Sequence, residues 1–264
     1  MANKQSRMKE ILQILSTRDS ETVKNLAELI NVSEMTIRRD INYLSKSGYV
    51  NVFHGGVSIN TKQKNVIPNF QYSPYLLDNA VKESLNEKIK IAEYAVSLIE
   101  PFDAIGIDSG STCQYMLDSM QNVNNCVVYT YSMQVLLQAS NIDSKNVHFF
   151  CFGGLYHRDI KMFESPDVLE IVKKTHINKL FIGAVGVSAE YGLSCAERYE
   201  VDMRRTLMSV SDQIILLSDS SKIDKVWPIK YGNLSDVDIL ITDNRITDEQ
   251  RDNIEKHGVK VYIA

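Results

Sequence analysis

Long apolar runs, paired cysteines and a strong bias of charge are all missing from this chain. No apolar stretch approaches the ~20 residues that a helix needs to cross a bilayer, so no membrane span is expected. Its beginning is polar and charged, unlike a secretory signal. Four cysteines occur in 264 residues, Cys113, Cys126, Cys151 and Cys195. None forms a C-x-x-C pair and no histidines cluster near them, which argues against a zinc site and for buried free thiols. The formal net charge of −4 does not advertise a polyanion partner. A reduced, cytoplasmic, globular protein with no metal and no cofactor is the class that remains.

The chain is long enough for one small and one medium domain, and its 44% apolar content is ordinary for a folded protein. The charge is unevenly spread. Residues 1–60 hold eight Lys/Arg against six Asp/Glu, leaving the remainder at −6. A mildly basic head on an acidic body suits a nucleic-acid-binding module joined to something else.

The head carries the most informative pattern. Met8, Ile11, Leu12 and Leu15 share one helical face. Val23, Leu26, Ala27, Leu29 and Ile30 form a second short helical pattern that breaks at Asn31. Ser33 can then cap a third helix with Thr36, Arg38 and Arg39 in its first turns and Ile37, Ile41 and Leu44 at buried spacing. Two helices joined by a tight turn, the second opening with basic residues, describe a helix-turn-helix whose second helix enters the DNA major groove. Arginine can bind phosphates or guanine edges, and Thr36 can contact either. An isolated arginine pair is usually a solvated face; the flanking helices favour DNA here. Gly48 stops the helix. Apolar runs on either side of His54-Gly55-Gly56 read as a β-hairpin, completing a winged helix over residues 1–60.

Between 61 and 84 periodicity fades, and Pro68 and Pro74 interrupt regular structure, so this stretch reads as a linker. Residues 85–264 alternate strands and helices. Strands are expected at 104–107, 127–130, 147–152, 179–184, 213–217, 237–242 and 259–263. Helices are expected at 85–99, 114–120, 133–139, 169–174, 197–210 and 248–257. This order implies an α/β domain with a mainly parallel sheet, whose ligands sit at the carboxyl ends of the strands. Three polar loops follow strands: Asp108-Ser109-Gly110-Ser111-Thr112, Gly153-Gly154 and Asp219-Ser220-Ser221-Lys222. Free N–H groups of Gly110, Ser111 and Thr112 and the ammonium of Lys222 suit a phosphate, and Asp108 suits sugar hydroxyls. Each loop alone could be an ordinary cap; together they suggest a shared pocket in which 108–112, 153–154 and 219–222 converge.

Thr36-Ile37-Arg38-Arg39-Asp40, Leu44, Gly48 and His54-Gly55-Gly56 resemble the DNA-binding domain of the deoxyribose-repressor (DeoR) family of bacterial transcription regulators. The loops at 108–112, Thr130, 153–154 and 219–222, with Phe181-Ile182-Gly183-Ala184, Gly192-Leu193 and Ile241-Thr242-Asp243, resemble that family's sensor domain. The resemblance implies a fold related to ribose-5-phosphate isomerase and the CoA-transferases. It implies a repressor of sugar-metabolism genes, relieved by a phosphorylated sugar, that works as a dimer or tetramer on a double-stranded operator. DNA-binding residues would be Ser33, Thr36, Arg38, Arg39 and His54; effector-binding residues would be Asp108, Gly110, Ser111, Thr112, Gly153, Gly154, Asp219 and Lys222. The chain departs from the family pattern at Val52, Tyr131, Glu164-Ser165-Pro166 and Arg204. Rival readings are a regulator with a degenerate sensor and a sugar-phosphate isomerase-like enzyme. No catalytic pair is marked by spacing, which disfavours the enzyme.

Overall fold

The computed structural model describes residues 4–18, 20–46, 49–53, 55–59, 77–142 and 146–264. They fall into two compact units, Met1–Pro74 and Tyr75–Ala264.

In the first unit, α1 (Lys4–Arg18), α2 (Val23–Ile30) and α3 (Glu34–Lys46) pack on a three-stranded antiparallel sheet. Its strands are β1 (Ser20–Thr22), β2 (Val50–Phe53) and β3 (Gly56–Ile59), in the order β1-β3-β2. β1 is absent from the sequence expectation. Its three residues show no apolar alternation, and it exists only because β3 pairs with it. Thr22 then caps α2, its Oγ1 accepting from Asn25 N at 3.1 Å. The core joins Ile11 and Leu15 of α1, Leu26 of α2, Ile37 and Leu44 of α3, and Val57 of β3. Gly56 is required by close approach: a Cβ there would strike the Phe53 ring and lie 2.9 Å from the Glu21 carbonyl oxygen. This is a winged helix-turn-helix.

The second unit is built on β4 (Ala104–Ile107), β5 (Cys126–Thr130), β6 (Val147–Cys151), β7 (Leu155–His157), β8 (Met162–Glu164), β9 (Ile177–Gly183), β10 (Gly186–Ser188), β11 (Gly192–Cys195), β12 (Ser211–Leu217), β13 (Ile229–Gly232), β14 (Ile239–Thr242) and β15 (Lys260–Ile263). Seven of these form one parallel sheet, β15-β14-β12-β9-β4-β5-β6. Alternate residues feed opposite cores. Leu180, Ile182, Ile214, Leu216 and Leu240 meet one; Phe181, Ile215, Leu217 and Ile241 meet the other. Burial on both faces explains the near-continuous apolar strands. Helices 85–97, 116–119 and 133–139 contribute to the second core, and 166–172, 201–209 and 248–255 to the first. A small antiparallel sheet, β10-β11-β13, and the hairpin β7–β8 were not anticipated.

The stretch expected as a linker, 61–84, lies outside the described residues as far as 76. Beyond that, Leu77–Ala80 is helical, with Leu77 and Ala80 buried, and it belongs to the second unit.

Candidate functional site

In the first unit the turn between α2 and α3 is made by Asn31, whose φ of 56° is left-handed, a conformation asparagine tolerates well. Ser33 opens α3. Its Oγ accepts from Thr36 N at 3.3 Å and shares a hydrogen with Thr36 Oγ1 at 2.9 Å. Helical spacing then sorts the motif. Ile37 and Asp40 turn inward, and Asp40 is held by Arg7 Nε at 2.6 Å. Met35, Arg38, Arg39, Asn42 and Tyr43 are exposed, with Thr36 at their edge. Arg38 lies 3.6 Å from Glu34 with both half exposed, a pairing worth about 0.3–0.5 kcal/mol and easily exchanged for a phosphate. His54 lies outside the described residues. Val52 and Phe53 beside it are about half exposed.

In the second unit the strand order decides where a ligand can sit. The chain lays down β4, moves through β5 and β6 on one side, then returns to place β9 on the other side of β4. The crevice at this reversal is where open parallel sheets bind ligands. The loops that end β4 and β9 meet there. A Cβ on either Gly110 or Gly183 would stand 3.4 Å from the other's Cα, so two glycines permit the approach. Ser109–Thr112, Gly183–Val185, Ile160, Glu200 and Arg204 line a cavity of about 20 Å³. That is room for about one water molecule. Among the described residues, no acceptor is found for the N–H groups of Ser111 and Thr112.

Beside the cavity lies a buried network. Asp108, 1% exposed, accepts from Ser109 N at 2.7 Å, Gly183 N at 2.9 Å, the Tyr131 hydroxyl and Arg204 Nε at 3.2 Å. Arg204 also donates to Glu200 Oε2 at 2.8 Å and lies 5.0 Å from the Tyr231 ring centre. Glu200 Oε1 accepts from Ala196 N and Glu197 N. Burial opposes charge on Arg204, but the carboxylates of Asp108 and Glu200 outweigh it and hold its pKa well above the ordinary value. Burial raises Glu200, against the pull of Arg204. It also lifts the Tyr131 and Tyr231 hydroxyls far above their usual range.

The three expected loops follow different strands of the sheet. Both oxygens of Asp108 are engaged by internal partners. Gly153 and Gly154 follow β6, four strands from β12, or about 19 Å at ~4.8 Å per strand, whereas Leu217 at the end of β12 lines the cavity. Gly154 instead starts the β7–β8 hairpin, where any Cβ would collide with the Glu164 carbonyl. That hairpin brings Ile160 over the cavity. Asp219 caps its own turn through Ser221 N at 3.1 Å. Lys222 Nζ lies 3.4 Å from Glu83 and does not line the cavity. Gly110, Ser111 and Thr112 do line it; Arg204 is its cation.

Lys88 went unread. It is 1% exposed, donates to the carbonyls of Ala80 and Glu83 at 2.5 and 2.7 Å, and lies 3.8 Å from Asp219. All four cysteines are free thiols, and burial pushes Cys126 up to about 11. Among the described residues, no acid, histidine or cysteine group suits a metal, and no helix is long and apolar enough to cross a membrane.

Comparison with known proteins adds to this geometry. The sequence profile of the DeoR-like helix-turn-helix domain matches residues 7–63, and that of the DeoR C terminal sensor domain matches 83–244. The HTH-type transcriptional regulator IolR of Bacillus subtilis (strain 168) is 27% identical over 258 residues, 98% of each chain. The deoxyribose operon repressor of Escherichia coli (strain K12) is 28% identical over 240 residues, 91% of this chain and 90% of its own. Among solved structures, ribose 5-phosphate isomerase A from Methanocaldococcus jannaschii aligns with TM-score 0.40 and 16% identity, over 53% of this chain and 55% of that one. So slight a likeness carries no argument about activity.

Proposed function

Since the chain belongs to the DeoR family of transcriptional regulators, we propose that it represses sugar-metabolism genes and is released from DNA by a phosphorylated sugar. Residues 1–60 serve as the head that reads the operator, and 85–264 as the effector-sensing domain. α3 lies in the major groove with Thr36, Arg38 and Arg39 toward bases and phosphates, Ser33 at its start and the wing around His54 on the backbone. Two heads on a homo-oligomer read paired half-sites, because one small head binds too weakly for control. A DNA-binding regulator of this kind acts in the bacterial cytoplasm.

One observation carries the effector assignment. The Ser109–Thr112 loop, whose Ser111 and Thr112 N–H groups have no acceptor among the described residues, faces Gly183–Val185 at the sheet's reversal point, with Arg204 alongside. Those N–H groups suit phosphate oxygens. The cavity must widen to admit a sugar, and Ile160 on the β7–β8 hairpin is the side chain whose withdrawal opens it. A second reading, a regulator whose sensor takes no ligand, is favoured by the small cavity and the fully satisfied Asp108. Calorimetry with a panel of pentose and hexose phosphates, alongside gel-shift titration of operator DNA, separates the two. Heat and DNA release with one sugar phosphate support the first; silence across the panel supports the second.

A further inference from the structure

The first described element of the second unit, residues 77–88, is tied to loops at the carboxyl edge of the sheet at several separate points. Leu77 N donates to the Asp159 carbonyl at 3.0 Å, in the hairpin turn that also carries Ile160. The Val81 carbonyl accepts from the Tyr115 hydroxyl at 3.3 Å, and Tyr115 sits in the turn directly after Ser109–Thr112. Lys88 bonds the carbonyls of Ala80 and Glu83 from below while facing Asp219 in the loop after β12. Lys222 of the same loop reaches the Glu83 carboxylate. Arg245, after β14, donates to Ser84 Oγ at 3.3 Å and pairs with Glu87 at 3.4 Å. Ser84 is meanwhile held at a φ of 50°, in the left-handed region.

This wiring is unlike ordinary packing of a first helix. Burial depresses the Lys88 ammonium's pKa, with Asp219 opposing. A buried ammonium demands all its partners, so movement of the 219–222 loop and movement of 80–83 are not independent. Both the β4 loop and the β7–β8 hairpin hold the same short segment, and the chain coming from the DNA-binding head enters through it.

We propose that residues 77–88 are the relay through which the state of the candidate effector site reaches the chain leading to the head, with Lys88 as its positioning residue. The effect on DNA rests on the function proposed above; the mechanical coupling within the second unit does not. Widening the cavity displaces Ile160 and its turn, and with it the Asp159 carbonyl that holds Leu77. A phosphate at 111–112 shifts the turn carrying Tyr115, and with it Val81.

The test is hydrogen–deuterium exchange of the full chain, comparing the parent with Tyr115→Phe, Lys88→Met and Lys88→Arg. Tyr115→Phe deletes one hydroxyl outside the cavity. It should speed exchange at least threefold at 77–84 and also at 219–222 and in the 155–164 hairpin, leaving helix 248–255 unchanged. Lys88→Met should do the same at 108–115, and Lys88→Arg should restore part of the protection. Changes confined to the mutated residue's own loop overturn the relay, and Tyr115→Phe decides the matter even if Lys88→Met fails to fold. A second arm measures operator affinity with and without 10 mM ribose 5-phosphate. Tyr115→Phe should lower the response at least fivefold while operator affinity without the sugar phosphate stays within twofold; an unchanged response counts against the relay. If the parent itself ignores the sugar phosphate, the effector assignment is what fails, and the exchange data still judge the coupling.

Discussion

In the first unit Arg7 with Asp40 is a pair held at the core while Arg38 and Arg39 stand in water; in the second, Arg204, Asp108, Glu200, Lys88 and Asp219 are all inside. Exposed cations on a rigid helix cost little to maintain and remain available to an external polyanion. Buried charges contribute little net stability, because desolvation offsets their attraction, but they penalise any arrangement that separates partners. The first unit therefore directs its charge outward as a contact surface, and the second uses charge to select among internal arrangements. That contrast suits a reader joined to a switch.

The comparison breaks most visibly at Arg204. Arg204→Met leaves Asp108 and Glu200 buried without their cation, and the second unit should lose about 3–5 kcal/mol. Thermal unfolding should show this loss, and a change below about 1 kcal/mol would mean that the network matters less than its burial suggests. In the first unit the matching experiment spares stability and costs binding. Arg38→Ala and Arg39→Ala should each leave the melting temperature within a degree or two. A base-contacting arginine should lose about 1–3 kcal/mol of operator affinity, and a phosphate-contacting one should reduce the salt slope by about one. Gel shifts across a salt series measure both, and full affinity in both variants would remove α3 from the interface.

A smaller effect sharpens the picture through pH. Burial, then the carboxylates of Glu200 and Asp159, raise Glu197 from near 4.5 to about 7. Its folded pKa is above its unfolded value, so its stabilising contribution is complete below about pH 4.5 and is lost as pH rises through about 7. Glu197→Gln keeps the size and a carbonyl oxygen of the side chain and removes the titration. The parent should therefore fall relative to this variant by about 2–3 kcal/mol between pH 5 and pH 8. Parallel denaturant curves at the two pH values test it; parallel profiles with no divergence would place Glu197 in water.

Legibility from sequence followed the same division. α3 was readable because its spacing is local: Ile37, Ile41 and Leu44 recur on one face whatever surrounds them. β4 was readable to the residue, since Ala104–Ile107 is an apolar run between Pro101 and the Asp108 loop. The hairpin β7–β8 was not, because Leu155 and Tyr156 are exposed and show no burial alternation. The buried charges were least readable. Asp108 meets Gly183 and Arg204 across separations of 75 and 96 residues, so a carboxylate in a polar loop looked free for a ligand. Nothing in the local spacing marks Lys88; its burial depends on Asp219 and on the carbonyls of Ala80 and Glu83. Loop chemistry also carries no information about strand order, which sets 153–154 four strand spacings from 219–222.

The position of β4 has a consequence for how the protein is made. β4 is the first strand of the large sheet to leave the ribosome, and it lies inside the sheet between β5 and the central strand, β9. β5 follows soon, but β9, its other neighbour, pairs across about 74 residues, the separation that joins Ala104 to Asn178. Such distant pairings form late, and domains fold in order of synthesis. The winged helix is thus complete while the sheet still lacks its centre, and a newly made head is folded before the second unit is. Ribosome-stalled chains ending at residue 165 should resist protease over the first unit but not at β4, whereas chains that extend well past β12 should protect both.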